Sequence, residues 1–137
     1  MGLIVSDKKE VLITLRNEPE QKRAHRKWQI PGGGVEFGEK PINALKREMK
    51  EELGVEIEAL TLIPYVNSSI WKTKKKIKQV FLLCFLCRIK SGKIKLDGVE
   101  NTDYRWIYPK EISKLLLMPL ARDYILAAEK EMKRRKN

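Results

Sequence analysis

The sequence contains few of the residues that metal centres and covalent cross-links most often require. It has one histidine and two cysteines, which do not supply the four ligands of a structural zinc site. Cys84 and Cys87 fall in an apolar stretch that we expect to be a strand, where an odd spacing directs side chains to opposite faces. We therefore interpret them as buried, reduced thiols in a reducing compartment.

Long apolar runs are missing as well. No segment approaches the roughly 20 apolar residues that a membrane-spanning helix needs, and the chain does not open on a signal-peptide pattern. The 137 residues are 42% apolar, which suits one globular domain and excludes wholesale disorder. We expect a single soluble, cytoplasmic domain over residues 1–137, without membrane association.

Acidic residues are outnumbered. Eighteen Asp and Glu face 29 Lys and Arg, a net charge of +11 that favours anionic partners: nucleotides, nucleic acid or acidic membranes. The acids are concentrated, because residues 33–56 hold six of them against four bases, a local charge of −2 that leaves +13 elsewhere. An acidic island in a basic chain is what a metal site for a polyanionic substrate would look like.

Periodicity and turn residues predict the order of elements. We expect strands at residues 2–6, 10–16, 55–63, 78–89 and 104–108, with a lysine-rich hairpin loop before the fourth. Helices are expected at residues 41–53, 109–117 and about 120–136, the last with a very basic end. Strands on both sides of a central helix indicate an α/β fold, a mixed sheet packed between helices.

The central helix carries an unusual group of charges. At about 100° per residue, Glu48, Glu51 and Glu52 share an arc of roughly 100°, beside the apolar face, with Arg47 on its flank. Three like charges on one turn repel each other unless hard cations such as Mg²⁺ or Mn²⁺ lie between them. The alternative is a solvated acidic face. The run of glycines at 32–34 just upstream favours a ligand site, because glycine lets backbone approach a ligand closely.

These residues together resemble the signature of the Nudix hydrolases, the MutT-like family. The signature reads Gly, five residues, Glu, seven residues, Arg-Glu-aliphatic, one residue, Glu-Glu, one residue, Gly-aliphatic. Its positions here, in the box at residues 33–55, are Gly33, Glu39, Arg47, Glu48, Met49, Glu51, Glu52, Gly54 and Val55. Trp28 and Trp106 resemble the family's lead-in and late tryptophan.

The resemblance implies an α/β/α sandwich that hydrolyses a diphosphate linkage with the help of Mg²⁺ or Mn²⁺. Carried over, the metal ligands are Glu48, Glu51 and Glu52, together with the carbonyl of Gly32. The metals would neutralise phosphoryl oxygens and polarise the attacking water.

Three further residues receive roles from the resemblance. Glu39 and Arg47 would orient the ligand carboxylates. Glu100, six residues before Trp106, is the candidate general base, because several family members use a glutamate just before the late tryptophan. The alternative for Glu100 is an ordinary loop acid.

Substrate identity is less constrained by the sequence. A set of cationic and aromatic residues could hold phosphates and stack a base, although the aromatic ones could equally belong to the core: Arg16, Trp28, Phe37, Tyr65 and Trp71. We favour a small nucleotide, namely a canonical or oxidised nucleoside triphosphate cleaved to a monophosphate and pyrophosphate. The alternatives are RNA 5′-end pyrophosphate removal or decapping, hydrolysis of ADP-ribose or dinucleoside polyphosphates, and a non-catalytic nucleotide-binding module. Because members of the family often dimerise, a homodimer is a further expectation.

Overall fold

The computed structural model describes residues 1–135, which form eight strands, two α-helices and one 3₁₀ helix. The strands are β1 (Gly2–Ile4), β2 (Val11–Arg16), β3 (Trp28–Gln29), β4 (Glu56–Leu62), β5 (Asn67–Lys72), β6 (Ile77–Leu82), β7 (Phe85–Ser91) and β8 (Asn101–Ile107). The helices are α1 (Pro41–Leu53), α2 (Ala121–Arg135) and the 3₁₀ helix Pro109–Lys114.

The strands form three small sheets. In the first, β7 lies between β1, to which it is parallel, and β4, to which it is antiparallel. In the second, β2 lies between β3 and β8, antiparallel to both. The third sheet is the β5–β6 hairpin. A bridge between Val5 and Val11 joins the first two sheets where the chain turns from β1 into β2.

Successive side chains of β1 and β2 point to opposite faces of the sheets, so the core has two parts, one under each α-helix. Leu3 and Ile13 point toward α2 and pack with Tyr124 and Ile125. Their neighbours Ile4 and Leu12 point the other way, toward α1. The sheets therefore lie between α1 and α2, which confirms the predicted α/β/α sandwich with a mixed sheet.

Helix α1 begins and ends where the sequence predicts. Pro41 occupies its first turn, where the fixed φ of proline suits a helix and its missing N–H costs nothing. Gly54 ends it in the left-handed conformation at φ 68°, and its N–H donates to the carbonyl of Lys50. Leu45, Met49 and Leu53 are buried against the sheet, and the carboxylate arc lies beside this apolar face.

The predicted strand 78–89 is wrong as a single element. It is two strands, β6 and β7, interrupted at Leu83 and Cys84, and they belong to different sheets. The lysine-rich segment before it is a loop only at its tip, because β5 pairs with β6 from Asn67 to Lys72. A continuous apolar run hides this break, since periodicity does not show where a strand changes sheets.

Two smaller differences concern the end of the chain and β3. The predicted helix 109–117 is the shorter 3₁₀ helix, and β3, two residues long, is missing from the prediction. Helix α2 agrees with the predicted terminal helix as far as Arg135, and residue 136 lies outside the described residues.

No helix among residues 1–135 is long and apolar enough to cross a membrane.

Candidate active site

A polar cavity of about 700 Å³ opens beside the carboxylate arc of α1. Six parts of the chain contribute to it: the β2 end with the following loop, β3, the glycine run, α1, β6 and the approach to β8. The lining residues are Arg16, Asn17, Glu18, Gln29, Gly32, Gly33, Gly34, Glu48, Glu51, Glu52, Lys78, Asp97 and Glu100. The cavity thus brings together the predicted metal ligands Gly32, Glu48, Glu51 and Glu52, the predicted base Glu100, and Arg16.

The three glutamates of α1 differ in environment although they share one arc. The side chain of Glu51 is 59% exposed and that of Glu48 is 15% exposed. Glu52 is only 6% exposed. Its Oε2 atom is fully buried and has no hydrogen-bond partner among the residues the structure describes. A buried carboxylate oxygen without a donor is costly, so this atom is poised for a ligand.

Arg47 ties the glycine-rich loop to this helix. Its Nε and Nη2 atoms donate to the two carboxylate oxygens of Glu39, at 2.9 and 3.0 Å. Nη1 donates to Oε1 of Glu48 at 2.9 Å and to Glu51 at 3.4 Å, and Nη2 also donates to the carbonyl of Gly34 at 3.1 Å. The bidentate pair with Arg47 lowers the pKa of the Glu39 carboxyl. The guanidinium therefore orients both the loop and the Glu48 carboxylate.

Gly33 lies directly against that carboxylate. A Cβ atom built at Gly33 would stand 2.3 Å from the carboxyl carbon of Glu48, which no side chain can tolerate without displacement. At the neighbouring Gly34 nothing lies within 4 Å of such an atom. The backbone thus reaches Glu48 closely only because residue 33 has no side chain.

Asp97 shapes the loop that brings Glu100 to the cavity. Its Oδ1 atom accepts hydrogen bonds from the backbone N–H groups of Val99, Glu100 and Asn101, at 3.0, 3.2 and 3.1 Å. The N–H of Asp97 itself donates to the carbonyl of Glu52 at 3.1 Å. The loop before β8 is therefore fastened to the end of α1, and this brings Glu100 beside Glu52.

Crowding of carboxylates changes the acidity of Glu52. Burial raises the pKa of its carboxyl to about 8, and the neighbouring Glu48, Glu100 and Asp97 add to the shift. Without a counter-charge Glu52 therefore holds its proton at neutral pH. A cation among these groups would reverse the shift, because it favours the ionised form.

A second polar group in the lining of the cavity is centred on Arg16. Arg16 donates from Nε to Glu18 at 2.6 Å and from Nη1 to the amide oxygen of Gln29 at 3.1 Å. The amide nitrogen of Gln29 donates to the buried Asn101 at 3.1 Å. Arg16 also lies over the ring of Trp71, with its Cζ 5.5 Å from the ring centroid. The guanidinium is held on three sides.

The four predicted stacking aromatics lie outside the lining of the cavity. Trp28 is buried and stacks with Arg105, whose Cζ is 4.9 Å from the ring centroid. Tyr65 packs edge-on against Tyr124 at 4.8 Å. Phe37 is fully exposed. Trp71 contacts Arg16, which lines the cavity, and the side chains of the described lining residues are polar or charged apart from the three glycines.

The donor set suits a hard cation, although no ready-made coordination cage is present. Within residues 1–135, no three histidine, cysteine, aspartate or glutamate side chains converge as a metal site. The reason is that Arg47 holds Glu48 and Glu51, while Glu52 is turned inward. The available donors are nonetheless carboxylate and backbone oxygens, which Mg²⁺ and Mn²⁺ prefer, and Oε2 of Glu52 has no hydrogen-bond partner within residues 1–135.

Several lining residues are missing from the sequence-based prediction of the site. They are Asn17, Glu18, Gln29 and Asp97. Asp97 precedes Gly98, a turn signal that could have marked it as a loop-shaping residue. Lys78 belongs to the lysine-rich hairpin segment, whose lysines could contact substrate phosphates or RNA, but the local pattern does not distinguish it from the other lysines, because its place depends on how the hairpin folds over the sheet.

Comparison with known proteins gives three kinds of match. The family model described as NUDIX domain matches residues 1–128. A nucleoside triphosphatase named NudI from Escherichia coli K12 is 34% identical over 92 residues, which cover 62% of this chain and 64% of that protein. The match thus spans just under two thirds of that relative's length.

Solved structures agree in fold. A MutT protein from Methanosarcina mazei Go1 superposes with a TM-score of 0.70 at 23% identity, covering 96% of this chain and 91% of that one. An Ap4A hydrolase from C. elegans superposes with a TM-score of 0.68 at 21% identity, covering 96% and 93%. At such identities the likeness concerns the fold alone.

Proposed function

Because this chain belongs to the NUDIX domain family, we propose that it is a metal-dependent hydrolase that cleaves nucleoside triphosphates to a monophosphate and pyrophosphate. The observation that carries the proposal is the cavity in which one helical turn presents three carboxylates, one with a buried oxygen that no described residue satisfies. The similarity to a protein named nucleoside triphosphatase supports the substrate class.

Glu48, Glu51 and Glu52 would hold Mg²⁺ or Mn²⁺, with the Gly32 carbonyl as a further oxygen donor. The bound metal would supply charge neutralisation at the phosphoryl oxygens and polarisation of water. Glu52 fits this role best, because its burial and raised pKa are penalties that a cation removes.

The chain's own residues would position the reactants. Arg47 holds Glu48 in place and keeps the glycine loop against the helix, with Glu39 completing the clamp. Glu100 lines the cavity next to Glu52 and would accept a proton from the attacking water. Arg16, which also lines the cavity, would contact substrate.

The test is a hydrolysis screen with Mg²⁺. Glu52→Gln is the variant expected to be inactive, and Glu58→Gln, a change of an exposed glutamate on β4, is the matched control expected to stay active. The panel contains canonical and oxidised nucleoside triphosphates, ADP-ribose, dinucleoside polyphosphates and a 5′-triphosphorylated RNA. Release of pyrophosphate from triphosphates, lost in Glu52→Gln and retained in Glu58→Gln, is the expected result. No turnover of any substrate by the wild-type protein would refute the proposal.

An RNA 5′ end is a second candidate substrate, because the hairpin beside the cavity is rich in lysine. Lys72, Lys74, Lys75 and Lys76 lie at or near its tip, all of them exposed. If RNA were the substrate, KM would rise steeply with salt, since each phosphate contact releases counterions. A small nucleotide would show a much weaker salt dependence.

Single-domain organisation over residues 1–137, a cytoplasmic location and a homodimer stay predictions.

A further inference from the structure

The β5–β6 hairpin places one lysine in the cavity and leaves the others outside it. Trp71 and Lys78 are directly paired across the hairpin, so their side chains lie on the same face. This face borders the cavity, because the half-buried Trp71 packs on the cluster of Ala24, Met118 and Ala121 and lies under Arg16, a lining residue, while Lys78 itself is exposed. Lys78 accordingly lines the cavity.

The charges of the cavity make this lysine distinctive. The lining holds six carboxylates and only two cationic side chains, Arg16 and Lys78. The charge of Arg16 is already balanced by Glu18, whose Oε2 lies 2.5 Å from Nη2. Lys78 has no ion pair within the part of the chain that the structure describes. It is therefore the one lining cation there whose charge is not already neutralised.

We infer that Lys78 binds the phosphate chain of the substrate from the hairpin side of the cavity that the carboxylates of α1 also line. This inference rests on the proposed function and specifies how the site accommodates a polyanion. Acidic lining repels phosphate wherever no cation intervenes. An ammonium group in the lining offers a compact positive charge with three rotatable donors, and it would give the phosphates a cationic contact within the acidic cavity.

The same geometry separates Lys78 from its lysine neighbours. Lys75 lies in the turn at the tip of the hairpin and does not line the cavity. Removing its charge changes the net charge of the protein by the same amount but removes no group from the lining of the cavity. Lys75→Met is therefore the matched control for Lys78→Met, and Lys78→Arg tests whether a positive charge alone restores binding.

The experiment is a calorimetric titration of inorganic tripolyphosphate in Mg²⁺ buffer, a probe that contains the phosphate chain and no base. We expect Lys78→Met to weaken binding about 10-fold, Lys78→Arg to remain within about threefold of wild type, and Lys75→Met within about twofold. In hydrolysis assays Lys78→Met should raise KM about 10-fold while kcat changes less than threefold. The thermal unfolding midpoint of each variant checks that it is folded.

Two results would overturn the inference: unchanged tripolyphosphate binding in Lys78→Met, or an equal loss in Lys75→Met, which would indicate a general field effect. Failure of the proposed function would look different. A wild-type protein that binds tripolyphosphate through Lys78 but hydrolyses nothing in the screen refutes the activity alone. A protein that hydrolyses triphosphates with unchanged KM in Lys78→Met refutes the role of Lys78 alone.

Discussion

Replacing Gly33 by alanine should separate activity from stability more sharply than any other single change in the site. The added methyl group would stand 2.3 Å from the carboxyl carbon of Glu48, where ordinary contacts begin near 3.4 Å. One of the two must move by about 1 Å. Glu48 is the one that yields, because it is the end of a side chain and not backbone.

The expected magnitudes follow from that displacement. A shift of about 1 Å in a functional group can cost about 100-fold in rate, and Glu48 would also be pulled from the 2.9 Å hydrogen bond with Arg47. Overpacking costs about 1–3 kcal/mol, offset by about 0.4–1 kcal/mol from the reduced flexibility of the unfolded chain. The free energy of unfolding should therefore fall by no more than about 2.6 kcal/mol.

Gly34→Ala is the matched control, since an added methyl group there meets nothing within 4 Å. The assays are kcat/KM with the substrate identified in the screen, Mg²⁺ affinity by calorimetry, and chemical unfolding. We expect Gly33→Ala to lose about 100-fold in kcat/KM and Gly34→Ala less than threefold. If Gly33→Ala kept its activity and Mg²⁺ affinity, the close approach to Glu48 would have no functional role.

Three further changes test other parts of the site. With a chelator present, the free energy of unfolding of Glu52→Gln, measured by urea unfolding, should rise relative to that of wild type by about 2–3 kcal/mol between pH 5 and pH 7. The reason is that the pKa of Glu52 is raised in the folded state, so over this range folded wild type keeps a proton that the unfolded chain releases, and wild type loses stability as the pH rises. A constant difference would contradict the buried-carboxylate explanation. Arg47→Lys should lower kcat/KM by about 10- to 100-fold, because an ammonium group cannot bridge Glu39 and Glu48 as the guanidinium does. The control Arg88→Lys alters an exposed ion pair with Glu58 and should leave kcat/KM unchanged. Equal effects of the two changes would refute the role of Arg47 in bridging Glu39 and Glu48. Tyr124→Phe should lower the free energy of unfolding, measured with urea, by about 1–2 kcal/mol. The buried hydroxyl donates to the carbonyl of Leu82 at 2.5 Å and accepts from the N–H of Asn67 at 2.9 Å, which links the β5–β6 hairpin to α2. An unchanged free energy of unfolding would mean that this link does not stabilise the fold.

The three carboxylates of the candidate site could be predicted from local sequence because they lie on one continuous helix. Helical geometry alone places Glu48, Glu51 and Glu52 on one arc, and Pro41 and Gly54 mark the ends of the helix. The α/β/α layering followed from the order of elements. These features depend on residues within a few turns of each other, where backbone geometry leaves little choice.

The rest of the cavity depended on contacts between distant segments. Glu100 reaches Glu52 because Asp97 folds its loop and hydrogen-bonds to the end of α1. The apolar run at 78–89 gave no sign that it divides into β6 and β7, and only that division carries Lys78 over the cavity.

The sequence by itself therefore determined the family, the helix and its three carboxylates. The tertiary structure decided which of those carboxylates is buried, which loop acid joins them and which lysine lines the same cavity. The physical reason is that burial, a shifted pKa and the charge balance of a cavity arise from the packing of segments far apart in the chain, and no local spacing encodes that packing.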